Sequence, residues 1–149
     1  VVDWAEVARE VVDLWSTGHP QWRWLLALDE GTWVVKGKKT HWTRVLNNLI
    51  SNAIHALEGV GDADAVVSLS IRARGGDEVE LVLSDSGPGI TAEERDKIFE
   101  PRFTTKSHGT GMGLAMVWAI VKQYGGDITV GTSEWGGAQF SIRLPLMQP

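Results

Sequence analysis

Over residues 40–58 the apolar side chains Trp42, Val45, Leu46, Leu49, Ile50, Ala53, Ile54 and Leu57 recur at i, i+3, i+4, i+7 spacing. That period predicts an amphipathic helix, with Thr40 as its cap. At about 100° per residue these positions cover one broad face, and Arg44, Asn48, Asn52 and His55 form a narrower polar stripe along its edge. A solvated flank favours Lys and Glu over paired amides, so the stripe reads as the lining of a cleft. After a strand end at Val1-Val2-Asp3, an earlier helix opens with Asp3 as N-cap and Glu6 three residues on. It runs to about Ser16, where Gly18-His19-Pro20 breaks it. Thr91-Ala92-Glu93-Glu94 is a capping box for a short helix continuing through Phe99. A last helix is expected over 111–124, ended by Gly125-Gly126.

Between the helices the period drops to two. Residues 65–73 and 78–84 alternate as strands joined by Arg74-Gly75-Gly76-Asp77, a hairpin signal. Residues 22–28 and 33–36 read as short strands around the Asp29-Glu30-Gly31 turn, and 127–132 and 138–144 flank Glu134-Trp135-Gly136-Gly137. Residues 100–108 carry no periodicity and read as a mobile loop. The expected fold is α+β: a two-layer sandwich in which about three helices cover one face of a mixed, mostly antiparallel sheet.

Composition narrows the function classes. The chain has 149 residues, 43% hydrophobic and 22% charged, which fits one globular domain over 1–149. A net charge of -5 has the wrong sign for a nucleic-acid partner. The longest apolar run, 115–121, is far too short to span a bilayer, and no signal-peptide pattern opens the chain. No membrane contact by this domain is expected. Zero cysteines exclude disulfides and thiolate metal sites and fit a reducing compartment. Six of the eight tryptophans fall before residue 43. Core and interface filling accounts for them best, and a domain-docking surface is the sharper alternative.

The chemistry lies in two glycine-rich stretches, read with the amide stripe. Asp85-Ser86-Gly87-Pro88-Gly89-Ile90 follows a strand, so the Asp85 carboxylate projects from a strand end and can accept a hydrogen bond from an exocyclic amine. Gly87 and Gly89 let the backbone pass close to a flat base. Gly109-Thr110-Gly111-Met112-Gly113-Leu114 leads straight into a helix. Free N–H groups and the positive helix end then face one space, suited to triphosphate oxygens. Just before it, Thr104, Thr105 and Lys106 bring two hydroxyls and an ammonium on a segment able to close over phosphates. Phe99 and Phe103 are the apolar anchors of that segment. Asn48 and Asn52, one turn apart, can ligand a magnesium ion carried by a phosphate chain. The set reads as a nucleotide site that is neither a Walker-type loop nor a dinucleotide fold.

These motifs resemble the catalytic, ATP-binding domain of bacterial sensor histidine kinases (the Bergerat fold), within the group shared with gyrase, Hsp90 chaperones and MutL repair proteins. The N box matches Asn48-Leu49-Ile50-Ser51-Asn52-Ala53-Ile54-His55-Ala56, and the first glycine box matches Asp85 to Gly89. The F box matches Ile98-Phe99-Glu100-Pro101-Arg102-Phe103-Thr104-Thr105-Lys106, the second glycine box Gly109 to Leu114, and the ending matches 136–145. The resemblance covers essentially the whole chain, and four boxes in order make it specific. It implies Mg2+ coordination by Asn52 with Asn48 beside it, His55 near the phosphates and adenine read by Asp85. It also implies that 109–114 cradle the triphosphate of ATP under a short lid. Arg102 stands where many members carry a second Phe, and Ala138-Gln139 replace a common Thr pair.

The resemblance further implies transfer of the γ-phosphoryl group to a histidine on a separate dimerisation and phosphoacceptor domain, for relay to a response regulator receiver domain. His19, His41, His55 and His108 do not fit as the acceptor, so the chain should hold ATP rather than receive phosphate. A cytoplasmic location is expected, in a parent able to be membrane-anchored. A different reading is an ATP-gated switch of the anti-sigma-factor, serine-kinase type; the run from Phe99 to Lys106 favours the histidine kinases. A hydrolytic ATPase of gyrase or chaperone type carries a carboxylate where this chain has Asn48.

Overall fold

The computed structural model describes residues 1–61, 64–100 and 113–147. Strand β1 (Val2–Asp3) runs into helix α1 (Trp4–Gly18), whose N-cap Asp3 accepts a hydrogen bond from the Ala5 N–H at 3.0 Å. Helix α2 (Lys39–Val60) begins earlier than Thr40. Its N-cap is Lys38, which supplies no side-chain cap, so the expectation of a Thr40 cap is corrected. The helix is held instead by its apolar face: Trp42, Val45, Leu46, Leu49, Ile50 and Leu57 are all buried. Burial of each such side chain contributes roughly 1.5–3 kcal/mol, more than a lost cap costs. Helix α3 (Ala92–Arg95) has the full Thr91–Glu94 capping box but stops short of Phe99. Helix α4 (Gly113–Gln123) ends where Gly125, at φ +79°, and Gly126 return N–H groups to Lys122 and Val121.

The strands form two sheets. Strand β2 (Arg23–Leu28), β4 (Val66–Arg74), β5 (Glu78–Asp85), β7 (Ala138–Pro145) and β6 (Asp127–Thr132) lie side by side in that order. The β4–β5 hairpin and the β6–β7 pair are antiparallel, as expected. Strands β2 and β3 (Val34–Val35) are not partners: β2 pairs parallel to β4, and β3 pairs antiparallel to β1. Helix α2 supplies the crossover that a parallel pair needs.

One sheet face buries Leu69, Ile71, Leu81, Leu83, Phe140 and Ile142 against α1, α2 and α4. The alternate residues Ser68, Ser70, Arg72, Glu80, Gln139 and Ser141 face the other way. There the buried Glu80 accepts from Arg72 at 2.7 Å and Arg74 at 3.1 Å. The structure is therefore the expected α+β sandwich. Among the described residues, no helix is long and apolar enough to cross a membrane.

Tryptophans anchor this architecture, as read from the sequence. Trp4 and Trp42 are buried edge to face at 5.2 Å. The indole N–H groups of Trp15, Trp24, Trp33 and Trp42 each donate to an acceptor, at 2.9–3.0 Å. Trp118 is the exception in burial, standing 43% exposed on α4.

Candidate nucleotide site

Strand β5 delivers Asp85 to the sheet end and buries it to 4% exposure. A carboxylate buried this far needs partners. Its Oδ1 accepts from the Gly87 N–H at 2.8 Å and from the Ala138 N–H at 3.2 Å. Its own carbonyl accepts from the Ser133 hydroxyl at 2.6 Å. The Ser133 Oγ in turn accepts from the N–H groups of Trp135 and Gly137, so the turn between β6 and β7 clamps the aspartate in one orientation. The bond from Ala138 comes from its main chain, so the side-chain departure at this position leaves it in place.

The first glycine stretch bends back over α2. A β-carbon at Gly87 would lie 3.0 Å from Asp85 Oδ1 and 3.1 Å from the Ala56 β-carbon. A side chain there would press on both, so a glycine eases the passage of the loop between the aspartate and the helix. Gly89 takes φ +82° and lies against the Gly136 carbonyl. The carboxylate is thereby set beside α2 one turn beyond Asn52. Ile90 is half-buried at the rim, and Phe99 is half-buried with its ring edge-on to Phe140 at 6.3 Å. Ile98, at 7% exposure, is buried more deeply than Phe99 and is the stronger apolar anchor of this segment.

Helix α4 also packs on α2. It runs antiparallel to α2: Tyr124 OH lies 2.5 Å from His41 Nδ1, Arg44 reaches the Met116 sulfur at 3.8 Å, and Gly113 abuts Asn48. The Asn48 amide nitrogen donates to the Arg44 carbonyl at 2.8 Å, which turns Oδ1 toward Gly113. Asn48 thus meets the start of α4, where Leu114 is half-buried, while Gly87 lies between Asp85 and Ala56 further along the same helix α2. His55 is exposed on the same stripe. Thr104, Thr105, Lys106, Gly109, Thr110, Gly111 and Met112, with Arg102, Phe103 and His108, lie outside the described residues.

Two contributors were not singled out from the sequence, Ser133 and Gly137. Ser133 stands two residues before Trp135 in a turn, a position from which a hydroxyl commonly accepts from backbone N–H groups. That signal identifies a turn and not the aspartate it clamps. Among the described residues no cluster of three His, Cys, Asp or Glu is placed to hold a metal. An amide on a cleft edge supplies a neutral oxygen suited to a hard cation whose remaining ligands come from phosphate and water. Asn52, half-buried on α2, carries an amide oxygen of that kind.

A family model, histidine kinase-, DNA gyrase B-, and HSP90-like ATPase, matches residues 37–148. The sensor histidine kinase ZraS of Salmonella typhimurium is 45% identical over 105 residues, covering 70% of this chain and 22% of that protein. The chain thus spans about a fifth of the curated relative's length. Among solved structures, the mycobacterial sensor histidine kinase MprB superposes with a TM-score of 0.86 at 26% identity, over 99% of this chain and 97% of that one. The histidine kinase ThkA, in complex with the response regulator protein TrrA, superposes with a TM-score of 0.80 at 27% identity, over 98% of this chain and 41% of that one. These relatives are sensor kinases and not serine kinases of the anti-sigma-factor type. By its motifs, its sheet order and these likenesses, the chain belongs to the histidine kinase-, DNA gyrase B- and HSP90-like ATPase family.

Proposed function

We propose that the chain, as one domain over 1–149, is the ATP-binding catalytic unit of a sensor histidine kinase. It binds Mg-ATP and presents the γ-phosphoryl group to a histidine on a dimerisation and phosphoacceptor domain, and the phosphoryl group passes on to a response regulator receiver domain. The ThkA–TrrA likeness supports the last partner. The reading places the domain on the cytoplasmic side of its parent. The observation that carries it is the fixed Asp85 carboxylate, clamped through Oδ1, with Gly87 packed between it and Ala56 of α2.

In this reading Asp85 accepts from the adenine amine and orients the base. Gly87 and Gly89 let the base approach the backbone, and Asn52 ligands the Mg2+ with Asn48 beside it. The ion neutralises phosphate charge when bound. The residues of 104–114 named from the sequence would hold the phosphate end, with His55 nearby. The chain's own task is positioning, the main protein contribution to phosphoryl transfer.

Calorimetry with ATP, ADP and GTP tests the reading: the adenine nucleotides should bind and GTP should bind more weakly. Asp85→Asn keeps an oxygen for Gly87 and Ala138 but replaces a charged acceptor, so ATP affinity should fall by about 1–3 kcal/mol with the fold retained. Asn52→Ala, supplied with its acceptor domain, should lose phosphoryl transfer. Equal affinity for adenine and guanine nucleotides would remove the assignment of Asp85, and wild-type transfer by Asn52→Ala that of the metal ligand.

A further inference from the structure

The two edges of the five-stranded sheet are finished differently. At β6 the edge is polar, and both ends are tied by side chains: Lys122 pairs with Asp127, and Arg95 reaches the Thr132 hydroxyl at 2.5 Å. Strand β2, with the sequence Arg-Trp-Leu-Leu-Ala-Leu, carries no Lys or Pro at all, and Leu26 stands 38% exposed on it. Charges, prolines and bulges are the usual devices that stop an edge from pairing with another chain. After Arg23, β2 carries none of them over the five residues 24–28.

Backbone direction decides what this edge can accept. The Arg23 N–H donates to the Ala65 carbonyl at 2.9 Å and the Asp29 N–H to the Ile71 carbonyl at 3.0 Å. Odd-numbered residues therefore point their peptide groups toward β4. Trp24, Leu26 and Leu28 point theirs away from the sheet. These three are symmetric about Leu26, and the charges are antisymmetric about it, with Arg23 at one end and Asp29 at the other. A second β2 laid antiparallel across a two-fold axis through Leu26 satisfies both patterns together. Leu26 meets its copy, Trp24 faces Leu28, and each Arg23 falls opposite the other copy's Asp29. Shifting the register by two residues loses both charge pairings.

We propose that this chain self-associates through β2, joining two five-stranded sheets into one continuous sheet with Leu26 on the two-fold axis. The surface lies on a different strand from the nucleotide cleft and does not depend on its assignment. Native-state amide exchange of the 149-residue chain, alongside sedimentation velocity, tests it. At micromolar concentration the amides of Trp24, Leu26 and Leu28 should exchange as exposed groups, while those of Leu25 and Ala27 are already protected. At near-millimolar concentration the outer three should slow by about tenfold or more, and the mass should approach twice 16.3 kDa. Leu26→Pro removes an edge N–H without touching the β4 ladder, and Leu26→Lys sets two like charges at the axis. Both should remain folded monomers, and Arg23→Glu should weaken association. Three results would overturn the proposal: a monomer at every concentration; a dimer that survives both Leu26 variants; or slowed edge amides at constant monomer mass, which means a strand of the same chain covers the edge.

Discussion

Gly137 has no room for a β-carbon: one built there would lie 2.2 Å from the Asp85 carbonyl oxygen and 2.3 Å from Oδ1. The neighbouring strand is different, since a β-carbon at Gly131 meets nothing within 4 Å. Gly137→Ala should therefore cost about 1–3 kcal/mol in urea unfolding, the range for overpacking, and should weaken ATP binding by moving the carboxylate. Gly131→Ala should stay within about 1 kcal/mol of the parent and keep its affinity. At this scale the sequence was informative about chemistry. Asp85 was legible only in company: Asp85-Ser86-Gly87 alone reads as a plain turn, and the amide stripe and second glycine stretch singled it out. Ser133 was not, because nothing local says that its hydroxyl reaches across to another strand.

Helices and strands were legible to the extent that their period reports burial. α2 followed from its apolar face, but its first residue did not, since Lys38 at the N-cap gives no side-chain signal. The same limit applies to β2 and β3: alternation marks a strand and is silent about its partner. At the junction of α4 and β6, Lys122 and Asp127 form an exposed ion pair. The Lys122 hydrogen bond, and then its charge, hold the Asp127 pKa below the ordinary 3.8. A lowered carboxylate contributes stability that is present above the unfolded value and is lost as pH falls through the folded one. Asp127→Asn should thus be slightly less stable than the parent near neutral pH, and their urea midpoints should converge as pH falls below 3.8 and through the lowered folded value. A gap persisting in acid would mean that the pair is not its source.

For the molecule as a whole, α4, late in the chain, packs antiparallel on α2 so that Gly113 meets Asn48. A β-carbon at Gly113 would lie 2.7 Å from the Asn48 Oδ1. Gly113→Ala should destabilise the domain and weaken nucleotide binding, and Asn48→Ala should relieve part of the clash. In a double-mutant cycle by urea unfolding the two positions should couple by about 0.5–3 kcal/mol. Strict additivity would mean that the two helices do not touch there. The order of boxes along the chain, the amphipathic α2, the β4–β5 hairpin and the residue types of the site are properties of local pattern, where period and residue chemistry report directly on burial and reactivity. Pairing of β2 with β4, the clamp of Ser133 and Ala138 on Asp85, and the meeting of Asn48 with Gly113 arise only once distant segments pack. Each is fixed by which surfaces fit in three dimensions, and neighbouring residues in the chain carry no record of that fit.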